Sequence, residues 1–250
     1  MQRYKAVIEY VGKGYAGMQR QENVKTIQSV IEMALSQFTN GKSTTIDYCG
    51  RTDGGVHAFG QVIHFDVDEN LPEMKVLMGI NFFLYQNSEA VALKSVEKVT
   101  QTFHSRFSCI GREYKYYIYN GFIRSPIFEG KMHHVPNVMN IEKMQKASEI
   151  LVGTHDFSSF RSKSCQALSP IKTVDFIKIN KITQDIIEIH ISARSFLYHM
   201  VRNITGALIY TGIGRIEVDF MREILEKKDI TMLPFTAPAC GLYFFIAHYQ

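Results

Sequence analysis

The sequence predicts an α+β protein built as two ferredoxin-like halves with mostly antiparallel sheets around a shared cleft. Three observations carry that expectation. Over residues 1–105, strand and helix periodicities follow the order β-α-β-β-α-β, the ferredoxin-like arrangement. The remainder echoes it loosely as β, α, β, β, α, α, β. Residues 186–194 set Ile187, Ile189, Ile191 and Ala193 against Glu188, His190, Ser192 and Arg194, the pattern of an antiparallel strand with one face buried. No low-complexity linker intervenes, and the halves are placed at 1–105 and 106–250. A chain of 250 residues, 46% of them hydrophobic, is large enough to bury a substantial core.

In the first half, Tyr4, Ala6, Ile8 and Tyr10 alternate with Lys5, Val7 and Glu9, a strand ending at the turn Val11-Gly12-Lys13-Gly14. Gly12-Lys13-Gly14-Tyr15-Ala16-Gly17 then matches the dinucleotide pattern G-x-G-x-x-G. In the true motif the helix starts within the glycine loop and turns its N-terminus to pyrophosphate. Here residues 18–23 intervene, and no acidic residue ends a second strand about 20 positions on. The segment reads as turn and loop. Thr26 is the expected N-cap of a helix whose apolar face is Ile27, Val30, Ile31, Ala34, Leu35 and Phe38. Residues 43–49 read as a strand, and Ile63, Phe65 and Val67 alternate with His64 and Asp66 in a half-buried one. Pro72 opens a helix carrying Met74, Leu77, Met78 and Tyr85, its methionines expected in the core, and residues 90–99 close the half as a strand.

The second half opens on Gly111-Arg112-Glu113-Tyr114-Lys115-Tyr116-Tyr117-Ile118-Tyr119. Tyr114 and Tyr116 share one face of this strand, Tyr117 and Tyr119 the other. Two readings stand: tyrosines packing in the core, or a platform for an unstacked base with cations beside it. Asn140 caps a helix with Ile141, Met144 and Leu151 inward, ending near Gly153. Residues 154–163 read as a polar, basic loop in which His155 and Asp156 diverge. Strands follow at 172–179 and 186–194. Met200, Ile204, Ala207 and Leu208 mark a helix with Arg202 off its apolar face, and Asp219 is expected to cap a short helix. Gly241 to Ala247 is an almost wholly apolar strand, hence central or covered on both faces.

Composition excludes several classes. No apolar run reaches bilayer length and the start lacks a signal-peptide core, so the chain is expected in the cytoplasm. Cys49, Cys109, Cys165 and Cys240 are scattered, with no Cys-x-x-Cys pair, which predicts neither disulfide nor metal. A net charge of +4 permits a polyanionic partner without requiring one. The stretch that stands out is Gly50-Arg51-Thr52-Asp53-Gly54-Gly55-Val56-His57, a glycine-rich loop between strands with one carboxylate beside a cation. On spacing alone it is an Asp-Gly turn with a solvated arginine, or a carboxylate presented to a substrate.

That loop with Gln61-Val62, then Glu113-Tyr114-Lys115-Tyr116, Gly153-Thr154-His155-Asp156-Phe157, Phe196-Leu197-Tyr198-His199-Met200-Val201-Arg202, and Thr236-Ala237-Pro238 with Gly241-Leu242 together resemble the tRNA pseudouridine synthase A family. Five stretches in order cover nearly the whole chain. The resemblance implies isomerisation of uridine to pseudouridine at positions 38, 39 and 40 of the tRNA anticodon arm, without a cofactor. It implies a homodimer of chains whose two ferredoxin-like or RRM-like α/β sandwich halves flank a central cationic cleft. It makes Asp53 the catalytic nucleophile, and Tyr114 the ring that packs on the target uracil. Arg51 would help displace the base, Arg202 pair with the aspartate, and Leu242 line the pocket. Three positions depart from the family pattern: Gly54 for a usual alanine, Val11 for an aspartate, and Met18 for an aromatic.

Overall fold

A computed structural model, describing residues 1–250, turns the opening alternation into β1 (Gln2–Tyr10), with Tyr4, Ala6, Ile8 and Tyr10 all buried on one face. It is followed by α1 (Ile27–Phe38), β2 (Asp47–Tyr48), β3 (His57–Val67), α2 (Glu73–Gln86) and β4 (Val91–Val99). The order β-α-β-β-α-β is the expected one. Thr26 caps α1 through a capping box: its hydroxyl accepts from Ser29 N–H, and the Ser29 hydroxyl accepts from Thr26 N–H. β3 runs antiparallel to β1, β1 to β4, and β2 lies along β3 at Ile63 and His64.

Residues Met1–Ile110 and Tyr243–Gln250 form one compact unit, and Gly111–Leu242 the other. A division at 105/106 put the last strand with the second half. Here β10 (Leu242–Tyr249) pairs in parallel with β3 at His57 and Ala58, so Tyr243–Gln250 belong with the first unit. Tyr249 Oη donates to the Ser105 carbonyl (2.6 Å) and fixes the far end.

Three local expectations are corrected in this unit. The segment 43–49 supplies only the two-residue β2. β3 is covered on both faces: His64 is buried under Phe103, His104 and Ser105, its ring tilted against His104 at 4.7 Å. On α2 the core contact is made by Val76, Ile80 and Leu84, while Met74, Met78, Phe82 and Tyr85 stand in solvent. This helix is apolar around most of its circumference, so periodicity alone did not select its inward face.

The second unit contains most of β5 (Cys109–Tyr119), then β6 (His133–His134), α3 (Ile141–Glu149), β7 (Gly153–Asp156), β8 (Ile171–Lys181), β9 (Ile186–Ala193), α4 (Met200–Gly212) and α5 (Phe220–Lys227). The strand order β5-β9-β8-β7 is antiparallel, with β6 added in parallel on β5. Asn140 caps α3 by accepting from Lys143 N–H. Ile187, Ile189, Ile191 and Ala193 are buried as expected. The opposite face of β9 is also covered: Glu188 pairs with Lys115 (3.0 Å), His190 with Glu113 (2.6 Å), and Ser192 donates to Asp175 (2.9 Å). Residues 154–163 are not a polar loop, since β7 and one helical turn at Ser158–Phe160 bury Phe157 and Phe160 completely. Asp219 precedes α5 without a side-chain cap. No helix is long and apolar enough to cross a membrane.

Candidate active site

Asp53 sits on a four-residue turn closed by Val56 N–H donating to the Asp53 carbonyl (3.2 Å). Gly55, the third residue, has φ +80°, which a type II turn demands there and which only glycine adopts without strain. The aspartate is half-buried and Arg51 is exposed, so both are within reach of a ligand. The bland reading and the functional one thus describe the same geometry: an Asp-Gly turn that presents its carboxylate.

The turn rests on the loop between β1 and α1. A Cβ on Gly12 would lie 2.0 Å from the Val56 carbonyl oxygen, and one on Gly17 2.6 Å from that of Thr52. Met18 N–H donates to the Thr52 carbonyl (3.1 Å) and Gly12 N–H to His57 Nδ1 (3.1 Å). The G-x-G-x-x-G stretch is therefore a seat for the Asp53 loop. Below, Tyr10 Oη and Thr52 Oγ1 are 2.7 Å apart. Gln61 hydrogen-bonds the Tyr10 hydroxyl and donates from Nε2 to the Gly50 carbonyl (2.8 Å). Burial pushes the Tyr10 phenol up to about 12 against both hydrogen bonds, so it stays neutral. A shift in the β1–β3 register between Ile8 and Tyr10 places one extra residue on β3, a bulge beside the loop.

In the second unit, Tyr114 is buried and meets Phe196 edge-on at 5.1 Å. Tyr116 is fully buried: its hydroxyl donates to the Pro238 carbonyl (2.9 Å), its ring covers Gly241, and burial raises its pKa well above the ordinary value. Both tyrosines are buried in the core, Tyr116 completely and Tyr114 with 8% of its surface exposed. Arg202 Nε donates to the Ala237 carbonyl (2.8 Å), and Ala237 N–H donates back to the Arg202 carbonyl (3.1 Å). The Thr236-Ala237-Pro238 stretch is thereby tied to α4, as is Thr236 through Asn203 Oδ1 (2.6 Å). Leu242 is buried at the start of β10. Within their own units the structure brings Arg51 and Asp53 onto one loop, and places Arg202 near the Tyr116 hydroxyl.

Sequence reasoning missed Phe196 as the partner of Tyr114, and the trio Tyr10, Thr52 and Gln61. The available signal was a hydroxyl on a buried strand face, which needs a partner. One trio offers metal-ligand atoms within 4.8 Å of one another, Asp47, His64 and His104. Its chemistry disagrees with a metal. His64 Nδ1 accepts Ser105 N–H (3.2 Å) and His104 Nδ1 accepts Arg106 N–H (3.1 Å), which leaves each ring proton on Nε2, the atom a metal would need.

Fold and loop together present the Asp53 carboxylate on a turn seated against the glycine loop after β1. A tRNA pseudouridine synthase family model matches residues 6–108 and 147–250. The chain belongs to this family, and so to the isomerases that act on tRNA. It is 42% identical over 242 residues, 97% of this chain and 89% of the relative, to tRNA pseudouridine synthase A of Buchnera aphidicola subsp. Acyrthosiphon pisum (strain Tuc7). The protein of the same name from Buchnera aphidicola subsp. Schizaphis graminum (strain Sg) is 41% identical over 97% of this chain and 90% of its own length. Among solved structures, an archaeal box H/ACA sRNP Nop10-Cbf5 complex is similar at 9% identity, TM-score 0.36, over 83% of this chain and 44% of that one. A Cbf5-Nop10-Gar1 complex is similar at 9% identity, TM-score 0.38, over 82% and 45%.

Proposed function

We propose that the chain isomerises uridine to pseudouridine at positions 38, 39 and 40 of the tRNA anticodon arm, with Asp53 as nucleophile. The observation that carries this reading is the Asp53 turn, whose single carboxylate is half-buried and held from beneath by glycine contacts and a buried hydroxyl network. A carboxylate oxygen attacks ribose C1′ as the bond to uracil N1 breaks. The freed ring turns, C5 bonds to C1′ as the carboxylate leaves, N1 gains a proton and C5 loses one. The reaction is redox-neutral and transfers no phosphate.

Tyr114 supplies the face on which the detached base stays, Arg51 helps displace the base from its stack, Arg202 pairs with the aspartate, and Leu242 lines the pocket. The enzyme is read as a homodimer acting on the anticodon arm of tRNA in the cytoplasm, with sedimentation in solution as the check on its state. Tritium release from tRNA labelled at uracil C5 tests the chemistry. Wild type should release tritium and Asp53→Asn should not, while both bind tRNA alike. Equal release from the two would remove Asp53 from the reaction, and mapping the product uridines checks the three positions.

A further inference from the structure

We propose that Tyr10, acting through Thr52 and with Gln61, is a positioning residue for the Asp53 carboxylate. The inference rests on the reading of Asp53 as the reacting group. Tyr10, Thr52 and Gln61 are 4%, 7% and 0% exposed, so their polar atoms form a network sealed beneath the loop. It grips the loop at two points. The Tyr10 hydroxyl holds the Thr52 side chain at 2.7 Å, and Gln61 bridges from that same hydroxyl to the Gly50 carbonyl at 2.8 Å. The second Gln61 atom is used as well, Oε1 accepting Val62 N–H at 3.1 Å. Residues 50 and 52 flank Arg51 and lead directly into Asp53, so their positions set where the carboxylate points.

Stability alone does not call for this arrangement. Phenylalanine at 10 and valine at 52 would fill much the same space with no polar atoms to satisfy, and replacing both partners of a buried hydrogen bond by apolar groups of like shape is close to neutral. A satisfied buried network instead selects one geometry out of several of similar energy. The backbone side of the loop is already held by Met18 N–H on the Thr52 carbonyl, so losing the hydroxyl bond should leave the loop folded and shift only its aim. Displacement of a reacting group by about 1 Å costs on the order of 100-fold in rate.

The test measures kcat and KM for tritium release from tRNA, with thermal midpoints, for wild type, Tyr10→Phe, Thr52→Val, Thr52→Ser, the double variant Tyr10→Phe/Thr52→Val, and Asp53→Asn. Tyr10→Phe and Thr52→Val should each lower kcat roughly 10- to 100-fold with KM for tRNA nearly unchanged; each also lowers the midpoint, because the other hydroxyl is left buried without its partner, and the double variant recovers the midpoint without recovering kcat. Thr52→Ser, which keeps the hydroxyl, should restore most of the rate. The double variant should be no slower than the worse single one, because the two groups act as a unit. Wild-type kcat in both single variants while Asp53→Asn is inactive would overturn the proposal and leave the catalytic reading standing. So would a Thr52→Ser enzyme as slow as Thr52→Val, since the methyl packing and not the hydroxyl would then matter. A double variant that recovers its midpoint and its rate together would equally overturn it, since the single-variant losses would then be losses of stability. Should Tyr10→Phe fail to fold, the Ser and Val variants at 52 decide. Full activity in Asp53→Asn would remove the underlying reading and this proposal with it.

Discussion

Two neighbouring loops of the first unit are rich in glycine, and they use it for opposite reasons. In the loop after β1, Gly12 and Gly17 are needed because another backbone lies where a side chain would go, at the Val56 and Thr52 carbonyls. Gly17 also has φ +100°. In the Asp53 loop, Gly55 is needed for its backbone angle, while a Cβ on Gly54 would meet its nearest neighbour, the Tyr15 carbonyl, at an ordinary 3.5 Å. The departure from the family's alanine at position 54 is therefore one the structure accommodates either way. A glycine's meaning lies in what stands opposite it, which the sequence of its own loop does not record.

Substitution separates these cases. Gly12→Ala and Gly17→Ala should do the most damage, roughly 3 kcal/mol each, because backbone must move; urea midpoints would show it, and near-wild-type midpoints would mean that the two loops are not seated on one another. Gly55→Ala should cost about 1–2 kcal/mol for the left-handed angle alone, with little else disturbed. A smaller and pH-dependent effect belongs to the opposite side of β3. Burial, then Arg3, holds the His64 pKa below its ordinary value. The unfolded chain thus takes up that proton first, and stability present above about pH 6.5 is lost as pH falls through and below it. His133 is shifted the same way by burial and His134, in the second unit. Thermal midpoints should drop from pH 7.5 to 5, and His64→Gln should flatten part of that slope. An unchanged slope would place the titration elsewhere. Gly54→Ala should be the mildest, stabilising by about 0.4–1 kcal/mol through the unfolded state with tritium release retained. Damage equal to that of Gly17→Ala would erase the contrast between the loops.

Local chemistry was legible where it is self-contained. The Thr26 cap, the alternation of β1 and the face of β9 with its isoleucines depend on residues within a few positions of one another. The inward face of α2 was not, because Met74, Met78, Phe82 and Tyr85 are as apolar as the residues that do pack. Burial of Phe157 and Phe160 was hidden by the polar residues between them, in elements too short to show a period. For the site, Asp53 is announced by its glycines. The contacts that hold it come from Tyr10 and Gly17, residues distant in the chain, and only the folded sheet brings them there.

The return of β10 to β3 also bears on how the protein is made. During synthesis Met1–Ile110 leave the ribosome long before Tyr243–Gln250, with all of Gly111–Leu242 between them. At roughly 5–20 residues per second the delay is on the order of 10 s. Throughout that interval the nascent β3 exposes the backbone edge at His57 and Ala58 that its parallel neighbour later covers, immediately after the Asp53 loop. The turn that carries the carboxylate is thus translated early and walled in late.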